Sequence, residues 1–416
     1  MSRAGCGEHG GAGVYQSVVM RNGWQTKRLG DFAMAVSTGP FGSILHKSDY
    51  VEDGVPLVNP INIVGERIVP DQAKLISEVT KQRLTNYVLK EGDVVVARRG
   101  EIGRCAVIGP DEKGWVCGTG SFFIRPLPAI NSQFLAHLIR SDAYREKLEQ
   151  LSTGTTMKNL SNTSLGDLSI SVPSFSEQQR IVGVLDKAFD GIATAKANTE
   201  KNLQNAHAIF GSHLQSVFTQ HGEGCIEKKL GDVCAITSTL VDPRKNEFLD
   251  LIHVGAGNIE SQTGVFVELK TAREECLISG KFLFDESMVL YSKIRPYLMK
   301  VARPHFNGLC SADMYPLTPL LNEITRDYLF HLLLSKHFTD YAIQGSARAG
   351  MPKVNREHLF EFGVWLPPVK KQQELAEELD TLHEETQRLE SIYQRKFASL
   401  DELKKSLLHQ AFSGAL

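Results

Sequence analysis

Pro173-Ser-Phe-Ser-Glu-Gln-Gln-Arg-Ile-Val182 and Pro367-Pro-Val-Lys-Lys-Gln-Gln-Glu-Leu-Ala376 open two stretches of one design. The Gln-Gln pairs lie 372 − 178 = 194 residues apart, and the closing phenylalanines lie 412 − 218 = 194 apart. Two landmarks about forty residues apart keep one offset, so the copies match without a gap. In the second copy Leu375, Leu379, Leu382, Leu389, Leu400, Leu403 and Leu407 step by threes and fours, or by multiples of that rhythm. That spacing keeps an apolar seam on one helix face. The first copy carries a weaker seam at Ile181, Leu185, Ile192 and Leu203. Ser176 with Gln179 reads as a capping box at its start. Gly183, Gly191 and Gly211 each cost roughly 1 kcal/mol against Ala inside a helix, so this helix needs a partner. Its own repeat is the nearest candidate. Helices of roughly 40 residues span on the order of 60 Å, which suits a spacer.

Outward from these helices lie two related blocks. Arg28-Leu29-Gly30-Asp31 opens the first and Lys229-Leu230-Gly231-Asp232 the second. Both mix short β-like runs with helical pieces and show no regular alternation, so the expected class is α+β. The expected organisation is an extension over 1–22, a globular block over 23–172, a central helix over 173–222, a second block over 223–366 and a C-terminal helix over 367–416. The Gly-rich start has no apolar signal core and reads as disordered, leaving Met20 as a candidate natural start.

Composition narrows the field. The chain has 416 residues and a formal net charge of −2, so any nucleic-acid surface must be a local patch. The seven cysteines are scattered without a Cys-x-x-Cys pair, which fits a reducing cytoplasm and neither a zinc knuckle nor a disulfide scaffold. No run of 18 apolar residues occurs, so no membrane span is expected. There is no Gly-x-x-x-x-Gly-Lys-Ser/Thr loop for ATP and no His-Glu-x-x-His metal pattern. The only double proline, Pro367-Pro368, lacks the polar acceptor and aromatic of an adenine methyltransferase motif. Pro70-Asp71 with Asp111-Glu112-Lys113 only loosely imitates a nuclease pattern and has no counterpart in block two. No catalytic residue and no metal site is expected.

Binding residues are easier to find. Block one carries a tight turn, Gly39-Pro40-Phe41-Gly42-Ser43, with Lys47 just beyond it. Glycines there allow close backbone approach to a ligand, or simply make a surface turn. Next, the apolar run Val94-Val95-Val96 delivers Arg98, Arg99 and Arg104 into a Gly-bearing loop. Adding 194 to Val95 lands on Val289, where a second run delivers Lys293 and Arg295, followed by Lys300 and Arg303. From Ser287 to Ala312 no acid appears. Such loops suit phosphate contacts, with Arg free for base edges. Each block closes with a second acid-free loop. One holds Thr155, Lys158 and Asn159, the other Arg348 and Lys353. These read as backbone-phosphate clamps or as flexible linkers.

In order and in kind, these parts resemble the specificity (S) subunits of type I restriction–modification systems. The resemblance covers roughly residues 24–416. It rests on Gly39-Pro40-Phe41-Gly42-Ser43, Gly92-Asp93-Val94-Val95, Ser292-Lys293-Ile294-Arg295-Pro296-Tyr297-Leu298, Ser311-Ala312-Asp313 and both Pro…Gln-Gln helix entrances. It departs from that plan in its N-terminal extension and in Lys370-Lys371, where the first copy has Ser176-Glu177. The resemblance implies two target-recognition domains, each reading half of a split double-stranded DNA site. It implies an antiparallel helix pair that sets the gap and docks two methyltransferase subunits, with motor–nuclease subunits completing the restriction enzyme. S-adenosylmethionine, ATP and magnesium then belong to those partners, and this chain is non-catalytic. The competing class is a coiled-coil scaffold that binds only proteins. A self-contained nuclease is a weaker rival.

Overall fold

The structure, a computed structural model, describes residues 23–416 other than 42–43, 73, 153–158, 221, 223, 347–351 and 414. It divides into two units. One comprises Met1–Lys196 with Phe397–Leu416, the other Ala197–Lys396.

In the first unit β1 (Ala33–Thr38), β2 (Val94–Ala97), β3 (Cys105–Val107) and β4 (Ser121–Pro126) form an antiparallel sheet in the order β1-β4-β2-β3. All four residues of β2 are buried, as a strand covered on both faces requires. Alternation sorts them. Val94 and Val96 join one core with Phe122 and Ile124, while Val95 and Ala97 join another with Phe123. Helix α1 (Ser132–Arg140) packs on the first face, and its cap is Asn131, whose side chain accepts from Gln133 and Phe134 N–H. Strand Gln25–Arg28 pairs antiparallel with Ser169–Val172. That ribbon leads directly into the long helix α2 (Phe175–Thr219), whose residues up to 196 belong here.

The second unit repeats the plan. Strands β5 (Cys234–Ala235), β6 (Val289–Ser292), β7 (Val301–Ala302) and β8 (Met314–Pro319) stand in the order β5-β8-β6-β7. Helix α3 (Arg326–Leu334) replaces α1. Ribbon Ile226–Lys229 with Gly363–Leu366 leads into the long helix α4 (Val369–Ser413). The α+β expectation thus holds in both. The strand match needs one correction. Strand β6 begins at Val289 where β2 begins at Val94, so the offset there is 195, and one residue has been inserted ahead of it.

Each unit joins its block to its helix through one buried glutamine. Gln178 accepts from Asn131 N–H at 2.8 Å and donates to the carbonyls of Ala129 (3.1 Å) and Pro173 (3.0 Å). Gln372 accepts from Thr325 N–H at 2.9 Å and donates to those of Glu323 and Pro367, both at 2.9 Å. Every partner is displaced by 194 residues. The side chains are 1% and 0% exposed. A glutamine suits this place because it accepts at one atom and donates twice at the other without a charge. The capping expectation shifts by two residues: α2 starts at Phe175, and Ser174 Oγ takes the Glu177 N–H at 3.4 Å. Ser176 lies inside the first turn.

Within each unit the long helices run antiparallel. In the first, Arg180 donates to the Leu416 carbonyl at 3.1 Å, and Lys196 pairs with Asp401. In the second, His207 lies 3.6 Å from Glu390 and His213 3.1 Å from Glu378. Partner numbers fall as helix numbers rise. Along the seam Ile181, Leu185, Ile192 and Leu379 are buried. Leu203, Leu375, Leu382, Leu389, Leu400 and Leu407 are half-buried, but Leu403 is 47% exposed, while Leu408 and Ala411 go inside. A strict seven-residue rhythm drifts about 20° per heptad on a straight helix. From Leu375 the fourth heptad therefore points about 80° off the seam.

Gln372→Ala is expected to lower the stability of its unit by about 2–3 kcal/mol, because it strands the Thr325 N–H and two buried carbonyls. Gln372→Glu should do no better, since a carboxylate would face two carbonyl oxygens. Thermal unfolding followed by circular dichroism checks both. A loss under 0.5 kcal/mol, on the order of an ordinary surface change, would remove the glutamine from this role.

Candidate nucleic-acid interface

Most of the candidate residues collect at one end of each four-stranded sheet; Arg303 does not, and Lys47 precedes Tyr50–Val51, a strand of a different sheet. In the first unit β1, β2 and β4 converge at that end. Gly39 N–H donates to the Ser121 carbonyl (3.0 Å), Thr119 Oγ1 to that of Pro40 (2.7 Å), and Arg98 N–H to that of Gly120 (3.0 Å). A Cβ on Gly39 would stand 2.1 Å from the Gly118 carbonyl oxygen. The glycine thus serves close approach to the protein's own backbone. Phe41, next to it, is 57% exposed. The rest of that turn, Gly42 and Ser43, lies outside the described residues.

In each block the strand-end loop meets the acid-free loop that closes the block; the first strand-end loop also carries Glu101, 3.2 Å from Arg145. Arg99 bridges Asn159 backbone to backbone, and Leu160 N–H donates to the Arg98 carbonyl at 3.3 Å. In the second unit Ile294 bridges Lys353, and Val354 N–H donates to the Lys293 carbonyl at 2.8 Å. Asn159 and Lys353 are again 194 apart. Sequence gave these loops as separate cationic stretches; the fold makes one surface of each pair. Thr155, Lys158 and Arg348 lie outside the described residues.

Among the remaining candidates the structure draws a division. Lys47, Arg99 and Arg295 are exposed and form no side-chain hydrogen bond or ion pair among the described residues. Lys353 is half exposed, 3.7 Å from Asp313. The others are engaged internally. Arg98 Nε donates to the Leu160 carbonyl at 3.0 Å, and Arg104 Nη2 to that of Pro60 at 2.6 Å. Lys300 Nζ donates to the Ala256 carbonyl at 2.6 Å. Lys293, only 12% exposed in its side chain, is bonded to the Ala312 carbonyl. Burial first, then the charge of neighbouring Lys353, lowers its pKa. Asn159 Oδ1 is buried with no hydrogen-bond partner among the described residues.

Arg303 stands apart from the loop. Its guanidinium binds Asp380 of α4 at 2.7 Å and Asp327 of α3 at 2.8 Å, over the Phe330 ring. Asp380 also accepts from His331, which is fully buried, at 2.8 Å. The first unit has the same pair, His137 with Asp186 at 2.9 Å. Both residues recur at an offset of 194, and that recurrence was the available signal for them. Asp111-Glu112-Lys113 forms a turn, with Glu112 accepting the Gly109 N–H at 2.9 Å, and the Asp71 carbonyl accepts the Lys74 N–H at 3.1 Å. Among the described residues no group of three or more His, Cys, Asp or Glu side chains is placed to hold a metal ion. No helix among them is long and apolar enough to cross a membrane.

The family model for the type I restriction modification DNA specificity domain matches residues 21–205 and again 223–394. The chain belongs to this family. Its relatives include the EcoDI specificity subunit of Escherichia coli, 28% identical with 71% of this chain and 72% of the relative covered. The EcoKI specificity subunit of E. coli strain K12 is 23% identical, with 88% and 83% covered. Among solved structures, a chain from work on complex assembly and conformational transition of the type I R-M system shares the fold. Its TM-score is 0.75 at 19% identity, covering 95% of this chain and 99% of that one. The HsdS subunit of Thermoanaerobacter tengcongensis gives 0.60 at 20% identity, covering 95% and 97%.

The Asp380 cluster sets a pH dependence. Burial raises the Asp380 pKa, but hydrogen bonds and charge from His331 and Arg303 outweigh it and hold the carboxyl below its usual 3.8. Burial, stronger than the pull of Asp380, holds His331 below its usual 6.5. For both groups the unfolded chain takes up its proton first as pH falls. Their stabilisation is therefore full above those ordinary values and lost on acidification, first below 6.5 for His331 and then below 3.8 for Asp380. Asp380→Asn should flatten the lower part of this acid limb in urea titrations. An unchanged slope there would rule the carboxyl out as its source.

Proposed function

We propose that this chain is the DNA-specificity subunit of a type I restriction–modification enzyme, with each unit reading one half of a bipartite double-stranded site. The carrying observation is the duplicated surface: a strand-end loop paired with a second acid-free loop, at matched places in both blocks. Arg99 serves the first half-site and Arg295 the second. Asn159 and Lys353 flank them, Thr155, Lys158 and Arg348 are carried on the same pair of loops, and Lys47 adds an exposed cation elsewhere on the first unit. Such groups hold phosphates and offer base-edge donors, and a good bidentate contact is worth about 1–3 kcal/mol. Lys300, Arg104 and Arg98 shape the surface from beneath through their backbone contacts, while Arg303 braces the block against its long helix.

On this reading the chain is non-catalytic. The long helices set the unspecified gap and dock two methyltransferase subunits, and motor–nuclease subunits complete the complex. S-adenosylmethionine, ATP and magnesium are held by those partners, in the cytoplasm. The duplicated DNA specificity domain and the specificity subunits among its relatives support this.

The test is the methylome of a host expressing the chain with its methyltransferase partner. A split adenine-methylated sequence is expected. Arg99→Ala should weaken methylation through the first half-site and leave the second half unaltered. Methylation at an unsplit site, or none that depends on the chain, would refute the proposal.

A further inference from the structure

The loop after β6 takes a conformation that its residues disfavour. Arg295 stands at φ +50°, ψ +61°, in the left-handed region. That region costs an L-residue roughly 1–2 kcal/mol. The next residue is Pro296, whose ring pushes the residue before it toward extended backbone. Arg295 is therefore disfavoured twice. In the first unit the matching position, again three past the end of the strand, is Gly100 at φ +72°, where no such cost arises. The far side of the turn repeats the contrast, with Met299 at φ +49° and Gly103 at φ +85°.

The surroundings hold this turn closed. Arg295 N–H donates to the Pro352 carbonyl at 2.9 Å, and its own carbonyl accepts from Leu298 N–H at 2.9 Å. Met299 N–H donates to the Pro296 carbonyl at 2.9 Å. Pro296 is buried and Ser292 Oγ braces the Ile294 carbonyl at 3.2 Å. A strained backbone kept by so many bonds is a functional signature when the side chain it presents is not used by the fold. The Arg295 side chain is exposed and has no partner among the described residues. Beside it two ammonium groups, Lys293 and Lys353, share one carboxylate, Asp313, at 3.8 and 3.7 Å. The turn therefore faces solvent with an excess of positive charge, and its backbone bonds fix the point from which the Arg295 side chain projects. An anionic oxygen fits that, and on DNA this is a phosphodiester.

We propose that Arg295 is a positioning residue that grips a backbone phosphate beside the second half-site, and that the chain tolerates a strained turn to hold it there. This rests on the reading that the second unit binds DNA. A glycine at 295 would relieve the strain and delete the contact together, so stability and binding should move in opposite directions. The experiment uses the chain in complex with its methyltransferase partner and duplex DNA containing the methylated sequence. For Arg295→Gly, the thermal midpoint should rise by about 2–4 °C. The slope of log affinity against log salt should fall in magnitude by about 0.9, one phosphate contact. The methylated sequence should stay the same. Arg295→Lys should keep the slope, and Arg295→Ala should lose it without the stability gain. A lowered midpoint for Arg295→Gly would make the arginine structural. An unchanged slope, or a relaxed base in the methylated sequence, would likewise overturn the assignment. If the wild-type complex shows no salt-dependent DNA binding, the underlying reading fails whatever the variants do.

Discussion

A single side-chain amide fixes where each long helix leaves its block. Gln178 and Gln372 sit in closed surroundings and satisfy one N–H and two carbonyls each. Those groups would otherwise be buried without partners, at a cost of about 1–3 kcal/mol apiece. The amide also ties the proline two residues before each long helix to the loop that caps α1 or α3. Block and helix are thereby set at one angle. The His137–Asp186 and His331–Asp380 pairs brace the same junction two turns further on. Whatever the sheet ends contact is positioned through these few bonds.

The surface at the sheet ends follows from strand chemistry. Strands β2 and β6 are buried along their whole length, so their polar and charged residues can appear only beyond the last apolar position. That places Arg99 and Arg295 at the rim. Pairing with the second loop fixes their backbones, while their side chains remain available. The two units meet the demand differently. The first turns its loop with Gly100 and Gly103, the second with Arg295 and Met299.

Much of this was legible in the sequence because duplication prints each constraint twice. The Gln-Gln landmarks gave the helix entrances, and the threes and fours gave the seam. The strand-end cations were found from an offset one residue short and, in the second block, from the absence of acids. Three features were hidden for physical reasons. Arg303 looks like any loop cation, but its partner Asp380 lies 77 residues away on a helix, and composition carries no such distance. Leu403 obeys the spacing rule yet stays outside, because the rule assumes supercoiling that the drift of a straight helix defeats. The close packing of Gly39 against Gly118 depends on two strands meeting at one sheet end, which a lone Gly-Pro-Phe-Gly cannot announce.

The units are not consecutive in the chain. The first takes its core from the amino-terminal block and also from Leu408 and Ala411, with Phe412 edge-on to Phe134 at 5.4 Å. During synthesis that block must wait for residues 397–416 before its apolar flank is covered. The second unit, Ala197–Lys396, is one unbroken stretch and can close first. The half made earlier is thus finished later, and its apolar flank stays uncovered until the ribosome completes the rest.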